Sequence, residues 1–104
     1  MVEKKFEDKK SKSMTTKDIK NMTERIKEGL VSLTGFKFPS VIGVKNEGNN
    51  EWLVTVELVE KESIPSGMDI LGTYEVRADQ NGDILDYKRT DLRKRIDIAI
   101  NPGV

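Results

Sequence analysis

Three oxygen-bearing side chains at alternate positions are the first candidates for chemistry in this sequence. Asp79, Asn81 and Asp83 have the spacing of the first, third and fifth ligands of a calcium loop. Such a loop also needs glycine at its sixth position and glutamate at its twelfth, where this chain has Ile84 and Thr90. The segment is better explained as a hairpin turn, because Asp, Asn and Gly supply local hydrogen bonds and positive φ angles.

The other titratable groups give little support to catalysis. The chain has no His and no Cys, so the commonest general base near neutral pH and every thiolate ligand are missing. Four carboxylates are expected to form solvated or cross-strand ion pairs on an open sheet face: Glu57, Glu60, Glu62 and Glu75. We therefore predict no catalytic, cofactor-binding or metal-binding residue, and an enzyme is the least supported function.

The composition is that of a small single-domain protein. A chain of 104 residues can bury a modest core without disulfides. Lys plus Arg and Asp plus Glu number 18 each, so bulk charge indicates neither nucleic acid nor a membrane surface as the partner. No apolar run reaches the roughly 18 residues of a membrane span. Residues 1–13 lack the apolar stretch of a signal peptide, so we expect a cytoplasmic protein.

An amphipathic helix is predicted to begin at Thr15. Thr15 and Asp18 have the spacing of a capping box, and Gly35 is a suitable end. Apolar residues recur at steps of three and four along one stripe: Ile19, Met22, Ile26, Leu30 and Leu33. Gly29 beside this stripe costs about 1 kcal/mol relative to Ala in a helix, and a close approach to a sheet would explain it.

Four strands are predicted after the helix, at about 41–45, 51–62, 70–79 and 83–90. Alternation defines the face that packs on the helix: Trp52, Val54, Val56, Tyr74, Val76, Leu85 and Tyr87. A two-residue loop at Asn81-Gly82 would pair Ala78 with Leu85 and Val76 with Tyr87, and a four-residue loop would keep the same faces.

The assembled prediction is an α+β fold, with one N-terminal amphipathic helix packed on a four-stranded antiparallel β-meander in a PepSY-like layout. Residues 14–92 form the single domain, residues 1–13 a disordered charged tail, and residues 93–104 a C-terminal tail. Three residues of that tail alternate like a strand: Ile96, Ile98 and Ile100. This segment could add to an exposed edge of its own sheet or of a neighbour's, which would give a homodimer.

A single helix leaves the second face of such a sheet open. That face is predicted to carry Thr55, Glu57, Val59, Thr73, Glu75, Arg77, Asp86 and Lys88. A basic cluster ends the last strand: Lys88, Arg89, Arg93, Lys94 and Arg95. This cluster could contact an acidic protein, grip a phosphate backbone, or remain solvated, and neighbouring aspartates dilute its charge.

The order of residues from Trp52 onward resembles the gas vesicle protein O family. That pattern has a Trp opening a valine-rich strand, glutamates, a Pro/Asp loop, a Tyr-Glu-Val strand, an Asp-x-x-Gly turn and a Tyr-x-Arg strand. The matching positions are Trp52, Val54, Val56, Glu57, Val59, Glu60, Pro65, Asp69, Leu71, Tyr74, Glu75, Val76, Asp79, Gly82, Tyr87 and Arg89. Residues 96–104 match nothing in the pattern.

The resemblance implies a non-enzymatic accessory protein of gas vesicle assembly, associated with gas vesicles in the cytoplasm. Its implied partners are other gas vesicle accessory proteins and the shell protein. No binding residue of the family transfers, so the candidate contact residues come from the expected open face: Glu57, Glu75, Arg77, Arg89 and Arg93. Two alternatives stay open: a PepSY-like ligand-binding or inhibitory module with a cleft beneath the helix, and a nucleic-acid-binding regulator acting through residues 88–95.

Overall fold

The computed structural model describes residues 14–96. One helix precedes four strands: α1 (Thr16–Thr34), β1 (Lys37–Gly48), β2 (Glu51–Lys61), β3 (Ile70–Asp79) and β4 (Ile84–Lys94). The strands form one antiparallel sheet in the order β1-β2-β3-β4, which confirms the predicted α+β fold. The predicted N-terminal tail and residues 97–104 of the predicted C-terminal tail lie outside the described residues.

The two ends of α1 are formed by the residues that the sequence indicates. Asp18 donates its backbone N–H to the Thr15 hydroxyl at 3.1 Å, and its carboxylate accepts the Thr15 N–H at 3.2 Å. At the other end Gly35 adopts φ 79° and donates its N–H to the carbonyl of Val31. Both caps satisfy backbone groups that a helix end leaves without partners.

The core lies between α1 and one face of the sheet. Met22, Ile26 and Leu30 are fully buried on the helix. They pack on buried sheet residues: Val54, Val56, Leu58, Tyr74, Val76 and Ala78. Trp52 packs against this cluster, as predicted. The prediction for Leu33 is wrong, because Leu33 is 57% exposed and the stripe of fully buried helix residues ends at Leu30.

The β3–β4 turn explains the residues that imitate a calcium loop. The Asp79 carboxylate accepts the backbone N–H groups of Asn81 and Asp83 at 2.9 and 3.0 Å. Gly82 donates its N–H to the Asp79 carbonyl and adopts φ 91°, as in a three-residue hairpin loop ending in a left-handed residue. The predicted hairpin turn is therefore confirmed, but its loop has three residues and not the two or four considered from the sequence.

Two glycines allow α1 to approach this hairpin closely. A β-carbon on Gly82 would lie 2.8 Å from the carbonyl oxygen of Met22 and 2.8 Å from Cβ of Arg25. A β-carbon on Gly29 would lie 3.1 Å from the side chain of Ile84. Arg25 also forms a 2.6 Å ion pair with Asp83. The expectation that Gly29 marks a close approach to the sheet is therefore confirmed.

The helix crosses the sheet diagonally. It contacts the β3–β4 turn through Met22 and ends three residues before β1 begins, at the opposite end and opposite edge of the sheet. Two corners of the helix-bearing face consequently extend beyond the helix. Val44 of β1 is 39% exposed at one corner, and Tyr87 and Leu92 of β4 are 38% and 49% exposed at the other.

The two edge strands are longer and less regular than the alternation predicts. β1 begins at Lys37, where the sequence suggests a crossover, and its pairing with β2 has three irregularities. Because the turn loop has three residues, Ile84 is the partner of Ala78, and the prediction that Leu85 faces the core is wrong. Leu85 is an extra residue that restores the predicted pairing from Asp86 onward. Tyr87 is paired with Val76 as predicted. β4 also continues past Thr90 to Lys94.

The loop between β2 and β3 is tied to the end of β4 by one buried carboxylate. Asp69 accepts the backbone N–H of Ser63 at 2.7 Å and the guanidinium of Arg95 at 3.0 Å. Its carbonyl accepts the Arg95 N–H. The Ser63 N–H, followed by Arg95, holds the pKa of Asp69 below its ordinary value. The chain at residues 95 and 96 is thus placed beside this loop.

We expect Gly82→Ala to lower the free energy of unfolding by about 2–4 kcal/mol, because it adds both left-handed strain and a clash with the helix backbone. Gly48→Ala is the matched control, since Gly48 has φ 85° but no atom within 4 Å of an added β-carbon. That variant should lose only about 1–2 kcal/mol. Urea denaturation of both variants measures the difference, and equal losses would contradict the close approach of α1.

Candidate protein-interaction surface

The face of the sheet opposite α1 carries most of the residues proposed for contact. We define the open face by the described residues that alternate with the core: Leu53, Thr55, Glu57, Val59, Leu71, Thr73, Glu75, Arg77, Asp86, Lys88, Asp91 and Arg93. The register places Glu57 opposite Thr73, Glu75 opposite Lys88, and Arg77 opposite Asp86. This face therefore combines charged groups on neighbouring strands with one partly buried apolar side chain, Leu53, and two buried ones, Val59 and Leu71.

Arg77 links three strands of the open face. Its guanidinium contacts the Asp86 carboxylate at 2.7 and 3.2 Å and the Glu51 carboxylate at 2.9 Å. The hydrogen bonds from Arg77 hold the pKa of Asp86 below its ordinary value. The bonds to Asp86, then those to Glu51, raise the pKa of Arg77. A bidentate contact of this kind fixes the orientation of the guanidinium and the position of its charge.

A second ion pair joins β2 to β4 across the intervening strand. Arg93 contacts Glu57 at 2.5 Å, and the side chains are 26% and 18% exposed. Asp91 lies 3.8 Å from the other side of the same guanidinium. Beside the Arg77 contacts lies an open groove of about 320 Å³ that is lined by Leu53, Glu75, Arg77, Asp86, Tyr87 and Lys88. Glu57, Glu75, Arg77 and Arg93 are thus brought together on one face.

Arg89 does not share this face. Arg89 lies opposite Tyr74, whose ring lies in the core on the helix-bearing side, because regular pairing continues from Tyr87 to Arg89. Arg89 contacts the Glu60 carboxylate at 2.8 Å, and the Tyr74 hydroxyl donates to the same carboxylate at 2.6 Å. The predictions that Arg89 and Glu60 lie on the open face are therefore wrong.

The Glu60 cluster, which we define as Glu60, Tyr74 and Arg89, is a feature that the sequence analysis missed. The Glu60 side chain is only 9% exposed. Gly72 makes room for it, since a β-carbon there would lie 2.0 Å from the carboxylate. Alternation from Trp52 through Leu58 puts Glu60 on the helix-bearing face, and this signal could have located it.

The Glu60 cluster changes the chemistry of Tyr74. Burial, followed by the hydrogen bond to Glu60, raises the pKa of Tyr74 to about 12. The phenol therefore stays protonated and acts as a donor across the physiological range. The ring of Tyr87 lies 6.3 Å from that of Tyr74 and extends the cluster toward the exposed corner.

Sequence comparison identifies the family to which these residues belong. The family profile described as gas vesicle synthesis protein GvpO matches residues 5–98. The chain belongs to this family.

Curated relatives agree with this assignment. Gas vesicle protein O1 of Halobacterium salinarum is 33% identical over 89 residues, which are 85% of this chain and 73% of the relative. Gas vesicle protein O of Haloferax mediterranei is 30% identical over 74 residues, 71% of this chain and 53% of the relative. Gas vesicle protein O of a Streptomyces species is 33% identical over 66 residues, which are 64% of this chain and 51% of the relative. The chain thus spans about half the length of two of these relatives. No solved structure matches it.

One alternative function, a ligand-binding module, requires a cleft beneath the helix. The described residues leave no such cleft. That alternative predicts a gap between α1 and the sheet. The structure instead fills the interface with Met22, Ile26 and Leu30 against Val54 and Val56, all at 0–1% exposure. Among the described residues this interface is closed, and the PepSY-like layout stays a prediction.

The basic cluster at the end of β4 is dispersed in the structure. Arg89 pairs with Glu60, Arg93 with Glu57, and Arg95 with Asp69. These cations lie on different faces and have carboxylate partners, so they do not form one basic surface for a phosphate backbone.

Residues 14–96 offer neither a grouping of metal ligands nor a helix suited to a membrane span. In this range no three acidic, His or Cys side chains are grouped so that they could hold a metal ion. Neither α1 nor the short 3₁₀ helix Ser66–Met68 of the same range has the length and apolar character needed to cross a membrane.

We expect Tyr74 to make stability fall at high pH. Its pKa is raised in the folded state, so its stabilising contribution is complete below the ordinary value of 10.0 and is lost as pH rises through about 12. The difference in unfolding free energy between wild type and Tyr74→Phe should therefore be constant below pH 10 and shrink above it. Denaturant titrations at several pH values test this, and a constant difference up to pH 12 would contradict the assignment.

Proposed function

We propose that this chain is a non-enzymatic accessory protein of gas vesicle assembly that acts through contacts with other gas vesicle proteins. Membership of a gas vesicle synthesis family supports a role in vesicle formation. The observation that carries the contact mechanism is the open face, on which charged groups of three strands are held in a fixed pattern. The chain offers a surface for recognition, and its function needs no reaction at that surface.

The chemistry of the open face favours a folded protein partner. Its described charges alternate in sign, with Glu57, Glu75 and Asp86 next to Arg77 and Arg93. A polyanion would meet carboxylates at every cation, whereas a protein surface can present a complementary pattern of both signs. Such complementarity contributes specificity and a salt-sensitive association rate more than raw affinity.

The partners that we propose are other gas vesicle accessory proteins and the shell protein, in the cytoplasm. Apolar side chains between the charges can add contact area once water is excluded. Glu75, Arg77 and Lys88 line the groove beside Leu53, so this part of the open face is the proposed centre of the contact. Arg89 is left out of the contact surface because it lies on the other face.

The test is capture of purified gas vesicle proteins by tagged wild type and by Glu75→Lys. Glu75 is partly buried at the groove, and its reversal leaves the Arg77 and Arg93 ion pairs in place. We expect at least a tenfold loss of affinity for one gas vesicle protein and weaker capture by wild type at higher salt.

The matched control is Glu28→Lys, which makes the same charge change at an exposed position of α1. It should bind like wild type, and both variants should unfold at wild-type denaturant concentrations. Undiminished capture by Glu75→Lys would overturn the open face as the contact surface. Absence of capture of every gas vesicle protein at both salt concentrations would overturn the proposed mechanism itself.

A further inference from the structure

β4 has an outer edge along which the chain is exposed. No described strand lies beyond it, and residues 85–92 are all exposed. An edge of this kind presents unpaired N–H and C=O groups to any strand that can lie beside it. Charged side chains on an edge usually oppose such pairing. A strand can therefore pair with β4 only if its own charges are opposite in sign to those of β4.

The charges of β4 on the open face alternate in sign. Asp86 and Lys88 lie opposite Arg77 and Glu75, and Asp91 and Arg93 lie opposite Thr73 and Leu71, so all four are on the open face. In chain order they read acidic, basic, acidic, basic. When a second copy of this strand runs antiparallel beside the first, each acidic residue can therefore face a basic one.

We infer that the outer edge of β4 pairs antiparallel with β4 of a second copy, about a two-fold axis between Arg89 and Thr90. This register sets Asp86 opposite Arg93 and Lys88 opposite Asp91. The axis makes each of these pairs occur twice, giving four cross-strand pairs of opposite charge. Opposite charges directly across a sheet stabilise the pairing, and like charges weaken it.

The irregularity at Thr90 is what makes this register possible. In a strand of strict alternation, residues 88 and 91 would point to opposite faces and could not oppose each other in a sheet. Thr90 is the extra residue between the pairs Tyr74–Arg89 and Thr73–Asp91, so Lys88 and Asp91 share the open face.

Neighbouring registers that preserve the faces bring like charges together. If Thr90 is left unpaired as the extra residue, moving the axis to Lys88 sets Lys88 opposite its own copy and Asp86 opposite Asp91. Moving it the other way sets Lys88 opposite Arg93 and Asp91 opposite its own copy. The favoured register also sets Tyr87 opposite Leu92 on the helix-bearing face, where both side chains are exposed beyond α1.

The resulting dimer is an eight-stranded sheet with both helices on one side and both open faces on the other. This inference goes beyond the proposed function and does not rest on it, because it concerns an edge and the contact proposed above concerns a face. Failure of one experiment therefore leaves the other result unchanged.

The experiment is sedimentation velocity on the full chain from micromolar to millimolar concentration. Wild type should show a concentration-dependent monomer–dimer equilibrium. Lys88→Glu and Asp91→Lys each put like charges at both symmetric contacts, and each should weaken the dimer about tenfold or more. Lys45→Glu, an equivalent reversal on the open face of the other edge strand, β1, should leave the dimer unchanged.

The decisive test is a mixture of the two weakened variants. A heterodimer of Lys88→Glu with Asp91→Lys has opposite charges at both contacts, so the mixture should regain wild-type affinity although neither variant has it alone. Circular dichroism and thermal melts confirm that each variant is folded. A wild type that stays monomeric, a dimer insensitive to both reversals, or a mixture that gains no affinity would each overturn the inference.

Discussion

The close contact between α1 and the β3–β4 turn determines how the rest of the molecule is arranged. At Gly82 the turn lies so near the helix backbone that no side chain fits between them. Because the helix is held there and must also end next to β1, it crosses the sheet diagonally. That crossing buries the central residues of β2 and β3 and leaves two corners of the same face beyond the helix.

Ion pairs join the strands on both faces of the sheet. On the open face Arg77 and Arg93 join strands that are one and two positions apart. On the other face Glu60 joins β2 to β3 and β4 through Tyr74 and Arg89. Individual exposed pairs add little to stability, but they hold charged groups in fixed positions that a partner can recognise.

The fold could be predicted because its determinants are local. The capping box at Thr15, the stripe from Met22 to Leu30 and the alternation of β2 and β3 each specify an element without reference to distant residues. The hairpin at Gly82 could also be predicted, since its turn chemistry lies within a few residues.

The errors in the sequence analysis arise in β4. The three-residue loop exchanges the roles of Ile84 and Leu85, and alternation from Tyr87 places Arg89 on the helix-bearing face. The extra residue Thr90 then returns Asp91 and Arg93 to the open face. A period of two cannot reveal where a strand gains a residue, because the position depends on pairing with the neighbouring strand. The open face was consequently predicted well for β2 and β3, where Glu57, Glu75 and Arg77 lie, and poorly for part of β4.

The irregular edge of β1 limits how this chain can associate through its sheet. Three departures from regular pairing, with Phe38 at φ 57° and Pro39 in the strand, make β1 a poor template for an added strand. A sheet with two regular edges could add copies end to end without limit, as open, non-closing contacts do. With one edge unsuitable, strand addition stops after a single step, and the stoichiometry of any sheet-based assembly is finite. A chain whose sheet can pair only through β4 thus stays at a small, defined size.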